Sequence, residues 1–224
     1  MEQKETVPSG WSNKDNFAYY ELIPYEIQKN YTVIGGLDVF SDLGLIKKYI
    51  DNANSILEVG ACYGRVLDYL IQNNFKGKIT AIEKSAKFFK LLQNQYNNRV
   101  TLHHEDINTF STSEKFDLIL WMWSGISDFA KEEQVLVLQG LYNLLPHKGI
   151  LILDTFSHTI KPANAISSYD QSYLVHVNDC ILYGYIPSPE EMNNYGNLVG
   201  FKSVQYLPYK TTTNRERAIY LMTQ

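Results

Sequence analysis

At 224 residues the chain is long enough for one sizeable domain with additions. A net charge of −4 and a sequence pI near 5.7 argue against a dedicated nucleic-acid binder, which normally carries a basic face. No run of five or more like charges occurs, residues 1–10 are too polar for a signal peptide or anchor, and the longest apolar run, Leu118 to Trp123, is far too short to span a bilayer. Two cysteines, Cys62 and Cys180, lie 118 positions apart, and one of them sits in a glycine turn. That usage fits a reduced cytoplasmic protein better than a disulfide scaffold.

Residues 1–44 are rich in aromatics (Trp11, Phe17, Tyr19, Tyr20, Tyr25, Tyr31) and show little regular periodicity before Gly35-Gly36. They read either as a flap packed on the sheet edge or as a lid, with Tyr20, Tyr25 and Tyr31 lining a substrate chamber and the glycine pair acting as a hinge or a simple turn. Leu43, Ile46 and Ile50 predict a helix over 41–51. Strands and helices then alternate: strand 55–59, helix 65–73, strand 78–83, a helix capped by Ser85, strand 100–103, strand 116–122, helix 132–145 and strand 150–154. The run 116–122 is continuously apolar and is therefore expected in the middle of a parallel sheet. Beyond it, residues 172–186 read as a hairpin inserted on the substrate side, turning at Asn178-Asp179. Ser188-Pro189-Glu190-Glu191 starts a helix that ends at Gly200, and residues 201–207 and 217–222 make a terminal strand pair. The fold class is α/β, a doubly wound Rossmann-like sheet, mostly parallel with a C-terminal antiparallel strand, plus the N-terminal lid and the hairpin.

The first strand ends in Glu58-Val59-Gly60-Ala61-Cys62-Tyr63-Gly64 and passes directly into a helix. A strand that breaks through a tight turn into a helix N-terminus is the usual cradle for a nucleotide-like cofactor. Glu83 ends the second strand 23 positions after Gly60, about where a ribose-binding acid belongs. These residues, with Glu105-Asp106-Ile107 after the third strand, Phe116–Trp121 on the fourth and the Leu144–Gly149 turn before the fifth, resemble the class I S-adenosylmethionine-dependent methyltransferases of the small-molecule type. The resemblance covers residues 45–224.

It implies S-adenosyl-L-methionine as cofactor, with contacts from Glu58, Gly60, Ala61, Cys62, Gly64, Glu83, Lys84, Asp106, Ile107 and Trp121. Glu83 would take the ribose hydroxyls and Asp106 the adenine amino group, while Ile107 and Phe110 would cover the ring. Cys62 stands where the family usually has its middle glycine, so its side chain must point away or fill free space. Several residues also have plainer readings. Glu58 also reads as a helix-capping acid, Asp106 as part of a polar loop, and Trp121 and Met122 as sheet core. Trp123, at the strand end, has the better claim to a substrate pocket. His158 is the one candidate general base, with a surface histidine as the plainer reading. His103 and His104 lack a third ligand, so no metal is expected.

The fourth strand ends in Trp121-Met122-Trp123-Ser124, without the pattern used on flipped bases. With the acidic balance, that leaves a small metabolite bearing an amine or hydroxyl as the expected acceptor, and neither nucleic acid nor membrane as partner. The rival readings are a non-catalytic cofactor-binding protein of the same fold and an NAD-dependent dehydrogenase. The spacing Gly60-x-x-x-Gly64 and the terminal strand pair count against the dehydrogenase.

Overall fold

The structure, a computed structural model, describes residues 6–96, 98–160, 162, 165–167 and 171–224. In chain order the elements are α1 (Phe17–Leu22), α2 (Tyr25–Gly35), α3 (Ser41–Leu45), α4 (Lys47–Asp51), β1 (Ser55–Val59), α5 (Arg65–Gln72), β2 (Lys78–Ile82), α6 (Ala86–Tyr96), β3 (Thr101–His103), β4 (Leu118–Trp121), α7 (Lys131–Asn143), β5 (Ile150–Phe156), β6 (Ile166–Ser167), β7 (Ser172–Val177), β8 (Cys180–Tyr185), α8 (Pro189–Val199), β9 (Ser203–Lys210) and β10 (Glu216–Thr223). Among the described residues there are also two single 3₁₀ turns, Asn13–Asn16 and Gly125–Asp128.

Seven strands form one sheet in the order β3-β2-β1-β4-β5-β10-β9. The first five run parallel, and β10 pairs antiparallel with both β5 and β9. The apolar run around β4 lies between β1 and β5, the interior position its sequence requires. Side chains alternate between the two faces of a strand, and each face has its own helical layer. Leu57, Val59, Ile119, Leu151 and Leu153 pack under α7 and α8. Ile56, Leu118, Leu120 and Ile152 pack under α4, α5 and α6. The order reverses between β1 and β4, so the crevice at the strand C-terminal ends opens there, where ligands bind in such sheets.

Most predicted elements are present, with boundaries shifted by up to three residues. α8 begins as its sequence dictates: the Ser188 hydroxyl accepts from the Glu191 amide (3.2 Å), Glu191 returns a carboxylate to the Ser188 amide (2.9 Å), and Gly200 closes the helix at φ 104°.

Three expectations are corrected. The helix expected over 41–51 is two short helices broken at Ile46 (φ −104°). There Asp42 turns inward to an ion pair, and Gly44 weakens the helix between them. Residues 1–44 carry more helix than their periodicity suggests, because the buried positions of α2 are the polar Gln28 and Thr32 while Val33 and Ile34 are exposed. Residues 1–5 lie outside the described residues. The hairpin of β7 and β8 gains a third strand, β6, making a small separate sheet.

Candidate functional site

A pocket of about 630 Å³ opens at the C-terminal ends of β1, β2, β4 and β5, the size of an ordinary small-molecule site. Its floor is the glycine turn. Gly60, Cys62 and Gly64 all take left-handed φ angles (69°, 51° and 92°), and the Gly60 and Ala61 amides donate to the Ile82 carbonyl (2.9 and 3.1 Å). At Gly64 a Cβ would enter the Tyr96 ring, whose hydroxyl donates to Asp68 (2.7 Å) and lies 3.0 Å from the Gly64 carbonyl. Gly64 therefore serves helix packing and does not line the pocket, in contrast to the cofactor contact expected of it.

Cys62 occupies a conformation that costs a non-glycine residue roughly 1 kcal/mol. Its amide donates to Glu83 Oε2 (2.6 Å), which holds it there. The thiol packs with Tyr19, Ile23 and Tyr63, and burial pushes its pKa well up. It is thus kept as a neutral thiol, the unreactive form.

Two carboxylates face the turn. Glu83 is buried and accepts from Cys62 and, through Oε1, from the Ser85 amide (2.7 Å). Burial raises its pKa, partly opposed by those two amides and by Lys84. Glu58 is also buried, and among the described residues its Oε2 accepts no hydrogen bond. Burial pushes it well above the usual carboxylate range, against the pull of Arg65, with Glu83 adding to the rise. Arg65 itself forks onto Asp42 (2.9 and 2.6 Å) and the Leu37 carbonyl (3.1 Å), pinning the segment after α2 to the start of α5.

Asp106, Ile107, Lys84, Ala61 and Trp121 all line the pocket. Asp106 accepts from the Asn108 amide (2.9 Å), and Lys84 donates to Asn13 (2.8 Å). Trp121 is buried edge-on to Phe129, so it is both core and pocket wall. Phe110 instead packs edge-on to His103 and does not reach the pocket. His103 sits 3.5 Å from Glu105, and His104 stacks on Phe89.

Tyr20, Tyr31 and Trp123 also line the pocket. Tyr25 is not with them: it packs edge-on to Tyr63 (5.8 Å) behind the wall. His158 is exposed just past β5 and does not line the pocket, so it is not placed to act as a general base there.

Other pocket residues went unrecognised in the sequence. Asp128 takes a hydrogen bond from the Tyr20 hydroxyl. Tyr173 enters from β7, and Ser124 and Arg217 come from beneath. Buried Asn16 bridges the three covering segments: its amide nitrogen donates to the Asp128 and Tyr183 carbonyls (both 3.0 Å), and its oxygen accepts from the Tyr183 amide (2.8 Å). Isolated polar residues in loops carry no periodic signal. A partial signal did exist for the Arg217 site, because Asp154 lies within the fifth strand's C-terminal end much as Glu58 and Glu83 lie near theirs.

A pocket at the switch point of a doubly wound sheet, with a glycine turn and strand-end acids, is the place where such folds hold a nucleotide-like cofactor. Residues 56–149 match the family described as "Methyltransferase domain". It is 31% identical over 116 residues to malonyl-[acyl-carrier protein] O-methyltransferase of Bacillus cereus, covering 51% of this chain and 42% of that protein. It is 38% identical over 78 residues to a tRNA1(Val) (adenine(37)-N6)-methyltransferase of a Flavobacteriaceae bacterium, covering 32% and 33%. The chain thus spans less than half the length of the curated relatives it matches. Among solved structures, magnesium protoporphyrin IX methyltransferase from Synechocystis PCC 6803 with bound SAM shares the fold at TM-score 0.67 and 14% identity, covering 97% of this chain and all of that one.

Proposed function

We propose that the protein transfers a methyl group from S-adenosylmethionine to an amine or hydroxyl of a small molecule. The observation that carries this reading is Glu58. A buried carboxylate with an unpartnered oxygen beside a glycine turn suits a cationic ligand group, and the methyl donor carries both a sulfonium and an ammonium. The remaining donors and acceptors fit as well. Glu83 has lone pairs beyond those given to its two amides and is the acceptor for a ribose diol, while Asp106 and Ile107 offer an acceptor and an apolar face to an adenine. When bound, S-adenosylmethionine supplies an electrophilic methyl group for in-line displacement.

The chain's own contribution is holding the acceptor in line, at about 3–3.5 Å, and excluding water. We assign the covering to residues 1–44 and to the 172–186 hairpin, which Asn16 and Gln134 tie to the 125–129 turn. A small acceptor is favoured by the size of the pocket, by this double cover and by the net charge of −4, which disfavours a phosphate backbone. Cys62 and Cys180 are both free thiols and suit a reducing cytoplasm. Among the described residues, no helix is long and apolar enough to cross a membrane.

Calorimetry with S-adenosylmethionine, S-adenosylhomocysteine and NAD tests the reading; binding of NAD alone would overturn it. The pH dependence is a further check. Glu58 is held protonated above its ordinary range, and a cation binds best to its ionised form. Binding therefore releases a proton, and affinity for S-adenosylmethionine rises with pH until Glu58 is ionised without ligand. Glu58→Gln should flatten that rise and weaken binding about tenfold.

A further inference from the structure

Asp128 is a pocket carboxylate to which none of the cofactor roles above falls. It ends the 3₁₀ turn after β4, and its backbone carbonyl is fixed by the amide nitrogens of Asn13 (3.1 Å) and Asn16 (3.0 Å). Its Oδ2 accepts from the Tyr20 hydroxyl, while Oδ1 accepts nothing among the described residues. Among the described residues no ion pair neutralises it. The groups facing it are Tyr19 and Tyr20 from α1, Tyr173 from β7 and Lys84 from beyond β2. Lys84 is the one cation among these, and its ammonium is engaged with Asn13 (2.8 Å). The surrounding pocket wall is aromatic: Tyr19, Tyr20, Tyr31, Tyr63, Trp123 and Tyr173.

We propose that the methyl acceptor is a protonated small-molecule amine, and that Asp128, oriented by Tyr20, binds its ammonium and removes the proton that must leave before the nitrogen accepts the methyl group. The inference rests on the methyltransferase reading above and narrows it from amine or hydroxyl to amine. An ammonium has no lone pair to donate. One N–H bond breaks, the proton goes to an Asp128 oxygen, and the freed pair forms the new N–C bond as the donor's C–S bond breaks and its pair returns to sulfur. A hydroxyl acceptor would gain less from this setting, because a weakly basic carboxylate is poorly matched to an alcohol proton. The aromatic faces add cation–π attraction for the ammonium and none for a neutral alcohol.

Burial raises Asp128 to about 6, with the Tyr20 hydrogen bond and Lys84 acting to lower it. It is therefore ionised at neutral pH, yet basic enough to hold a proton briefly.

The test uses protein loaded with S-adenosylhomocysteine and a matched pair of probes, 2-phenylethylamine and 2-phenylethanol, in calorimetry at pH 7.5. We expect the amine to bind about tenfold or more tightly than the alcohol, and the ratio to fall near one in Asp128→Asn. The wild-type preference should weaken as pH drops through the Asp128 titration. In Tyr20→Phe the midpoint of that loss should move to higher pH, because the carboxylate has lost a hydrogen bond that favours its charged form; a merely structural Tyr20 would leave the midpoint in place. Equal binding of the two probes, no binding of the amine, or a preference that survives in Asp128→Asn would overturn the proposal. If S-adenosylhomocysteine itself fails to load, the methyltransferase reading falls instead. The probe comparison then still reports on Asp128 alone.

Discussion

Arg217→Met should lower the melting temperature by roughly 10 °C. Arg217 donates from Nε to Asp154 Oδ1 (3.0 Å) and from Nη2 to Asp154 Oδ2 (2.5 Å) and to the Ser124 hydroxyl (2.7 Å). Asp154 also accepts from the Tyr209 hydroxyl (2.7 Å) and the Trp123 amide (3.1 Å). Both charged side chains are buried, at 3% and 0% exposure. Removing one partner leaves an uncompensated charge in the interior, a loss of about 3–5 kcal/mol, and a domain of this length shifts by a few degrees per kcal/mol. Two like-shaped apolar residues avoid the stranded charge, so Asp154→Leu with Arg217→Met should melt no lower than Arg217→Met alone, yet below the wild type because Tyr209 and Trp123 lose their acceptor. Thermal denaturation of the three variants decides the matter. A single Arg217→Met that melts within 2 °C, well inside the roughly 10 °C expected, would show that the pair adds little to the β5–β10 pairing beneath the pocket.

Glu83→Ala should weaken S-adenosylhomocysteine binding about 100-fold, measured by calorimetry. The carboxylate holds the turn through the Cys62 and Ser85 amides (2.6 and 2.7 Å) while presenting its remaining lone pairs to the pocket. Alanine therefore removes a ligand contact and leaves two donors without their acceptor, each charge-assisted bond being worth roughly 1.5–3 kcal/mol. Glu83→Gln keeps one carbonyl oxygen and should lose nearer tenfold. Unchanged affinity in Glu83→Ala would remove the residue from the cofactor site.

These two predictions differ in how far the sequence anticipated them. Glu83 was legible because strand and glycine turn are local patterns: an apolar run ending in an acid places that acid at the strand's C-terminal end whatever the rest of the chain does. The family resemblance, built on such patterns, implied Glu58, Gly60, Ala61, Cys62, Asp106 and Ile107, all of which line the pocket. It failed for Gly64, which belongs to Tyr96, and for Tyr25 and His158, whose side chains lie outside the pocket wall. Counting aromatics or histidines near a site says nothing about which way a side chain points. In α2 the local signal was misleading, since Gln28 and Thr32 are buried while apolar neighbours face outward.

The sequence by itself determined the sheet, its helical layers and the end of the sheet where a ligand belongs, because alternation and 3.6-residue spacing record burial along a single element. Only the tertiary structure decided the far wall of the pocket. Asp128 meets Tyr20 across 108 positions, Asn16 meets Tyr183 across 167 and Asp154 meets Arg217 across 63. Such partners are selected by the geometry of packed segments, and a polar residue alone in a loop carries no mark of the partner that folding brings to it.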